Sequence, residues 1–255
     1  MFSTQMTFIG VDPAAGSRPF TYAALDHERK LVVLARGQME DVLAYASGQS
    51  AACVAVNAPS HPNQGVMRQE QVRRRFSPPP RPGRWLDLRL AEYQLRRMRI
   101  RVPRTPEQED LCPNWMHQGF ALYRSLERMG CQAYPAAQAS YQWLEVHPHA
   151  CFCVLLGRQP LPRRTLEGRL QRQLVLHEQG LGINDPMTFF EEITRYRLLR
   201  GNLPFEYIYS AEALDALVAA CTAYLAAEHP RQVTLLGSPG EGQIVLPVAD
   251  LKARY

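Results

Sequence analysis

Asp12, Asn57, Glu145 and Asp215 have the side-chain types and positions that hard-cation chemistry needs. Asp12 follows the short, apolar, β-rich run Thr7–Val11 and precedes Pro13, a turn signal. Asn57 ends the continuous apolar run Ala52–Val56, in register with Asp12 if the two runs pair as strands. Glu145 lies in Trp143–His147, where alternation puts Trp143, Glu145 and His147 on one face and Leu144 and Val146 on the other. Asp215 sits in the first turns of a long helical pattern. Carboxylates on neighbouring strands plus one on a packed helix suit an oxygen-liganded cation, Mg2+ or Mn2+. Two such ions clamp the attacking and leaving oxygens of a phosphodiester. Each residue also has a plainer reading: Asp12 shapes a turn, Glu145 is exposed on its strand, Asp215 complements a helix dipole, and Asn57 terminates a strand.

The elements that must position these residues are legible in the pattern. Phe20–Leu25 and Leu31–Ala35 flank Asp26–Arg29 as a hairpin, and 38–47 has helical spacing that stops at Gly48. With Thr7–Val11 and Ala52–Val56 this predicts the order β-β-β-α-β. Residues 60–135 change character, with a basic helix over 67–76, a Pro-rich stretch at 77–83 and helices over 86–99 and 114–129. They read as a basic insertion or cap within a single domain spanning 1–255. Further helices are predicted over 149–156, 166–179, 187–200 and 211–228. In the last, Leu214, Leu217, Val218, Cys221 and Leu225 form one apolar stripe behind Ser210 as N-cap. Two short strands, Gln232–Leu236 and Gln243–Leu246, follow. The fold class is α/β, a mixed sheet flanked by helices.

Charge is distributed unevenly. The net charge is +5, and all but two of the 29 basic residues are Arg. Twelve Arg fall between Gln64 and Arg104 against Glu70, Asp87 and Glu92, leaving the rest of the chain net acidic. Guanidinium forks match phosphate oxygens, so Arg73, Arg74, Arg75, Arg96 and Arg97 are candidates for holding a nucleic-acid backbone. Arg169 and Arg172, on one side of a helix, are candidates to join them. The plainer reading is a solvated helical insertion with pairs such as Glu92–Arg96.

Composition excludes other classes. A chain that is 46% hydrophobic and 21% charged can build a core, and no apolar run approaches the ~18 residues of a membrane span. Six cysteines without a CxxC pair read as reduced, buried thiols rather than a disulfide framework or zinc site. Met1–Gly10 lacks the basic region and cleavage site of a secretory signal, so a cytoplasmic location is expected. HExxH and GxSxG are absent. Gly10–Gly16 could pass for the phosphate-side hairpin of an actin-like phosphotransferase, but no second half with its own glycine-rich phosphate loop follows.

Several segments, in order, resemble the family called domain of unknown function 429, described as a predicted nuclease of the RNase H-like superfamily. They include Ile9-Gly-Val-Asp12-Pro-Ala-Ala-Gly16, Val54-Ala-Val-Asn57-Ala-Pro59, Leu144-Glu-Val-His-Pro148, Leu214-Asp215-Ala-Leu-Val-Ala-Ala220 and Gly242-Gln-Ile-Val-Leu-Pro247. The resemblance implies an RNase H-like sheet of three antiparallel strands and then parallel strands. It makes Asp12 the first-strand carboxylate, Glu145 the acid before a Pro-containing turn and Asp215 the acid of the late helix. Family members commonly read Asp-Ala-Pro where this chain reads Asn57-Ala-Pro59. An amide oxygen can ligate Mg2+ but brings no charge, and Glu92, Glu40 or Asp41 are acids that could compensate. The expected function is therefore a metal-dependent nuclease, with Asp12, Glu145 and Asp215 catalytic and Asn57 a neutral ligand. The alternative is a nucleic-acid-binding or scaffold protein on the same fold, its chemistry weakened by Asn57.

Overall fold

The structure is a computed structural model that describes residues 5–14, 16, 18–80, 83–137 and 139–255. The chain begins with β1 (Thr7–Asp12), β2 (Phe20–Leu25), β3 (Leu31–Gly37), α1 (Met39–Ser47) and β4 (Ala52–Val56), the order its patterning predicts. Next come α2 (Glu70–Arg73), α3 (Leu90–Arg97), α4 (Asn114–Arg128), β5 (Gln132–Ala133) and β6 (Tyr141–Glu145). Helices α5 (Pro148–Leu156), α6 (Leu166–Glu178), α7 (Thr188–Glu191), α8 (Arg195–Leu199) and α9 (Ala211–Glu228) precede β7 (Thr234–Ser238) and β8 (Gly242–Leu246).

These strands form one sheet in the order β3-β2-β1-β4-β6-β8-β7, with β5 pairing the outer edge of β6. The pairs β1–β2 and β2–β3 are antiparallel, and β4 joins β1 in parallel, as β6 joins β4 and β8 joins β6. Alternate side chains of the central strands feed two cores. Phe8, Cys53, Ala55 and Leu144 pack under α5 and α9, whereas Ile9, Val11, Val54, Val56 and Trp143 pack on the α1 and α4 side.

Helix α9 starts as its sequence predicts, with the Ser210 hydroxyl accepting the Ala213 N–H at 3.1 Å. By length and composition its segment could cross a membrane, but it is a buried core helix of this fold. It crosses β1 at backbone contact. A Cβ on Gly10 would overlap the Ala216 carbonyl oxygen and the Ala220 nitrogen, so this crossing requires glycine.

Four predicted elements take different forms; the helix expected over 86–99 is a 3-10 turn at Arg84–Asp87, an extended Leu88 and then α3 from Leu90. The basic helix expected over 67–76 is a 3-10 turn at Val66–Arg68 followed by the single turn of α2, because Gln69 between them is extended. The helix expected over 187–200 is two short ones, because the Thr194 hydroxyl accepts the Arg197 N–H and starts α8 afresh. The strand expected over 143–147 ends at Glu145, and His147 instead caps the N-terminus of α5 ahead of Pro148.

The segment after β4 is fastened to the β7–β8 hairpin. The wholly buried Glu241 carboxylate accepts the N–H groups of Leu90 at 2.7 Å and of Gln64 and Val66 at 3.2 Å. The Gln94 side chain accepts the Gly237 N–H at 2.7 Å.

Candidate functional site

Register decides which acids meet. Val11, Val56 and Glu145 stand in one row across β1, β4 and β6, while Gly10, Ala55 and Leu144 form the row before it. Side chains of paired residues share a face, so Asp12 falls on the α9 side with Gly10, whereas Glu145 falls on the opposite side with Val11 and Val56. The tight α9 crossing at Gly10 then sets Asp215 against Asp12. At the end of β4 the Asn57 N–H bonds the Val11 carbonyl at 2.8 Å, and Asn57 Nδ2 donates to Asp12 Oδ1 at 2.6 Å.

Arg163, in the turn between α5 and α6, completes this group. Its Nη2 lies 2.6 Å from Asp215 Oδ2 and 3.8 Å from Asp12 Oδ2, its Nε donates to the same Asp215 oxygen at 2.7 Å, and its Nη1 lies 3.3 Å from Glu212 Oε1. One guanidinium is thus shared by three carboxylates. The site opens into a cleft of about 310 Å³ whose walls include His147, His149, Trp115 and Pro103.

The electrostatics follow from burial. Desolvation pushes the Asp12 carboxyl up to about 6, with Asn57 and Arg163 pulling the other way. Desolvation, and then repulsion from Asp12, pushes Asp215 up to about 7 despite Arg163. Burial, with the neighbouring His149, brings His147 down to about 3. Its Nδ1 accepts the Ala150 N–H at 3.3 Å, so the ring is neutral with its proton on Nε2.

Glu145 does not join Asp12 and Asp215. It is buried in a second polar centre, where Arg89 Nη1 meets its Oε2 at 3.0 Å and Arg89 Nη2 pairs with its Oε1. The Ser60 N–H also donates to Glu145 at 3.0 Å. Arg89 is 2% exposed, and its Nε also reaches Glu92 Oε1 at 3.1 Å. Glu92 accepts the Thr105 hydroxyl at 2.6 Å. Glu92 therefore pairs with Arg89 rather than with Arg96, which donates to the Val102 carbonyl. Nor do the other acids compensate for Asn57: Asp41 accepts the Gln38 N–H at the start of α1, and Glu40 is on the same helix.

Among the described residues no three His, Cys, Asp or Glu side chains are grouped to hold a metal ion. The residues present do not fit a two-metal, three-carboxylate centre. Asp12 and Asp215 do fit one hard cation, since Mg2+ is commonly held by one or two carboxylates with waters and substrate phosphate. Asn57 serves Asp12 as a hydrogen-bond donor, where the sequence suggested a ligand.

The arginine candidates divide. Arg172 is buried with Nη1 on the Leu161 and Gly168 carbonyls, and Arg169 donates to the Tyr209 and Ile208 carbonyls, so both hold the fold together rather than face a groove. Arg73 donates to the Met67 carbonyl, and Arg97 donates to the Ser77 carbonyl and stacks over Phe76. Arg74 forms an exposed pair with Glu70, and Arg75, Arg99 and Arg101 are exposed. Arg81 lies outside the described residues. Composition could not separate these fates, because a carbonyl partner leaves no mark in charge counting. Arg163 escaped notice because Pro162-Arg163-Arg164 reads as an ordinary turn. Its proximity to Asp215 depends on how α5 and α6 pack.

Three antiparallel strands continued by parallel ones, with helices on both faces, are consistent with an RNase H-like fold. The chain belongs to the family described as Protein of unknown function (DUF429), whose model matches residues 10–236. No curated protein and no solved structure matches it.

Proposed function

We propose that this protein is a metal-dependent phosphodiester hydrolase, a nuclease acting on DNA or RNA, that works with one Mg2+ or Mn2+ at Asp12 and Asp215. The observation that carries this reading is the convergence of these two desolvated carboxylates, from β1 and α9, on an open cleft with a single guanidinium between them. When bound, the cation would polarise a phosphoryl oxygen and acidify a water. The protein's own residues do the rest. Asn57 fixes the Asp12 carboxylate. Arg163, about one-third exposed, pairs with Asp215; with a cation on the carboxylates, its fork would be free to bond a phosphate oxygen. His147 lines the cleft as a neutral imidazole whose Nδ1 accepts the Ala150 N–H. Exposed Arg75, Arg99 and Arg101, with Arg74 in a readily exchanged surface pair, supply backbone contacts. A reducing, cytoplasmic setting accords with six buried, unpaired cysteines.

The test is incubation with labelled single strands, duplexes, hybrids and branched forms of DNA and RNA, in Mg2+, Mn2+ or EDTA, beside Asp12→Asn. Metal-dependent cleavage absent from the variant supports the proposal, and equal cleavage by the variant rejects it. Two observations favour a second reading, a nucleic-acid-binding protein without turnover: Asn57 brings Asp12 an uncharged amide donor, and Arg163 already pairs with Asp215 and lies 3.8 Å from Asp12. That reading requires binding with a steep slope of log affinity against log salt and no cleavage in any divalent metal.

A further inference from the structure

The acids of the cleft are recessed. The Asp12 side chain is 12% exposed and the Asp215 side chain 8%, so a phosphodiester reaches them only by descending between the cleft walls. One wall carries Trp115, half-buried in the first turn of α4, together with Pro103 and Pro148. Trp115 packs against the Met116–Phe120 cluster, which holds it in place, and has no ring-stacking partner among the described residues. It also lines a small cavity with Asn57, Glu145 and Val146, so it stands on the β4 and β6 side of Asp12.

Strand register points the other way from Asp12. Asp12 pairs with Thr21, and Thr21 with Arg36, so the three side chains stand in one row on the α9 face. Two strand spacings put Arg36 roughly 10 Å from Asp12, on β3. Arg36 is exposed, and its side chain makes no hydrogen bond or ion pair with the described residues. The same holds for Arg164, next to Arg163. Both act electrostatically on Glu212, which places them at the end of the cleft where α9 begins. Unlike Arg73, Arg97, Arg169 and Arg172, these two guanidinium groups are not spent on carbonyls of the chain.

We propose that the cleft takes a single, unpaired strand of nucleic acid laid across the sheet from the β6 side to β3. A base rests on Trp115, its phosphodiester enters between Asp12 and Asp215, and a flanking phosphate is held by Arg36 and Arg164. This rests on the reading of the Asp12–Asp215 cleft as a nucleic-acid site. A base inside a duplex has both faces covered by its neighbours and its edge turned to its partner, so it cannot lie on an indole without being unstacked first. A duplex is also stiff over the length of such a site, and a cleft of about 310 Å³ has no room for it. An unpaired strand bends into the recess, and stacking on an aromatic ring accepts any base.

The test is fluorescence anisotropy of a labelled 12-nucleotide single strand, and of the blunt duplex of the same sequence, titrated with the full chain in Ca2+. Wild type, Trp115→Ala, Trp115→Phe and Arg36→Ala are compared, with circular dichroism as the folding control. Wild type should bind the single strand about tenfold or more tighter than the duplex. Trp115→Ala should lose about tenfold or more of the single-strand affinity, and Trp115→Phe should recover most of it. The single strand should quench tryptophan emission in wild type and not in Trp115→Phe. Arg36→Ala should flatten the slope of log affinity against log salt by about 0.7, one phosphate contact on a single strand. If Trp115→Ala loses its folded spectrum, Trp115→Leu replaces it. Equal or tighter binding of the duplex by wild type overturns the proposal, as does unchanged single-strand affinity in Trp115→Ala or an unchanged salt slope in Arg36→Ala. Turnover is read separately. Cleavage in Mg2+ with a preference for duplex removes this proposal and leaves the hydrolase standing, whereas the expected binding results without cleavage in any divalent metal support this proposal and remove the hydrolase.

Discussion

The Ala216 carbonyl of α9 occupies the space into which a side chain on Gly10 of β1 would extend. This backbone contact fixes the height of α9 over the sheet, and with it the meeting of Asp215, one residue before Ala216, and Asp12, two residues after Gly10. Gly10→Ala must therefore lift α9 from β1. The expected cost is about 3 kcal/mol or more, at the upper end of core overpacking because the clash is with backbone. Urea unfolding would measure it, and a variant as stable as wild type would show that α9 shifts freely.

Arg163 holds Asp215 and reaches Asp12, so a cation at the proposed site would compete with it for the same oxygens. Arg163→Met should tighten Mn2+ binding by about tenfold, ~1.4 kcal/mol, while weakening affinity for nucleic acid in the presence of metal. Mn2+ titration followed by electron paramagnetic resonance reads the first effect without needing turnover. Weaker Mn2+ binding in the variant would mean that the guanidinium supports the cation rather than displacing it.

The acid pair makes stability depend on pH. Asp12 and Asp215 have folded-state pKa values of about 6 and about 7, above their unfolded values. The folded chain therefore keeps protons that the unfolded chain gives up. Stability is lost as pH rises from roughly 4 to roughly 7, and the loss is complete above that window. In metal-free protein, Asp215→Asn should raise the melting temperature by a few degrees at pH 8, where about 1 kcal/mol corresponds to ~2–4 °C in a chain of this size, and by nothing at pH 4. A gain of equal size at both pH values would contradict the burial of charge at this pair.

Glu145 and Arg89 predict the opposite division of effects. Arg89→Met leaves the Glu145 and Glu92 carboxylates buried without their cation and should cost about 3–5 kcal/mol in denaturant unfolding. Glu145→Gln should lower stability while leaving the Mn2+ dissociation constant of the folded protein unchanged. A tenfold rise in that constant would make Glu145 part of the proposed cation site.

Local signals carried most of the fold. Ser210 and the apolar stripe of 214–225 specify α9, and the Asp26–Arg29 turn between two β-rich runs specifies the first hairpin. The proximity of Asn57 to Asp12 was legible on the condition that their two strands pair, as β1 and β4 do. The fate of Glu145 was not. A strand shows which residues share a face, but which face points to α9 depends on the row each residue enters, and a displacement of one residue reverses it. Arg163 and Arg89 were hidden for a related reason. Their partners lie 52 and 56 positions away, and no local pattern ties a guanidinium to one distant carboxylate rather than to solvent.

The Glu241 carboxylate binds the Leu90 N–H across 151 positions and the Gln64 N–H across 177. A growing polypeptide makes the 64–90 segment long before it makes its anchor. Until Glu241 has been synthesised, these backbone donors have only water, and α3 has no β7–β8 hairpin to lie on. The segment is thus fastened late in biosynthesis, after β1, β4 and β6 are available to pair.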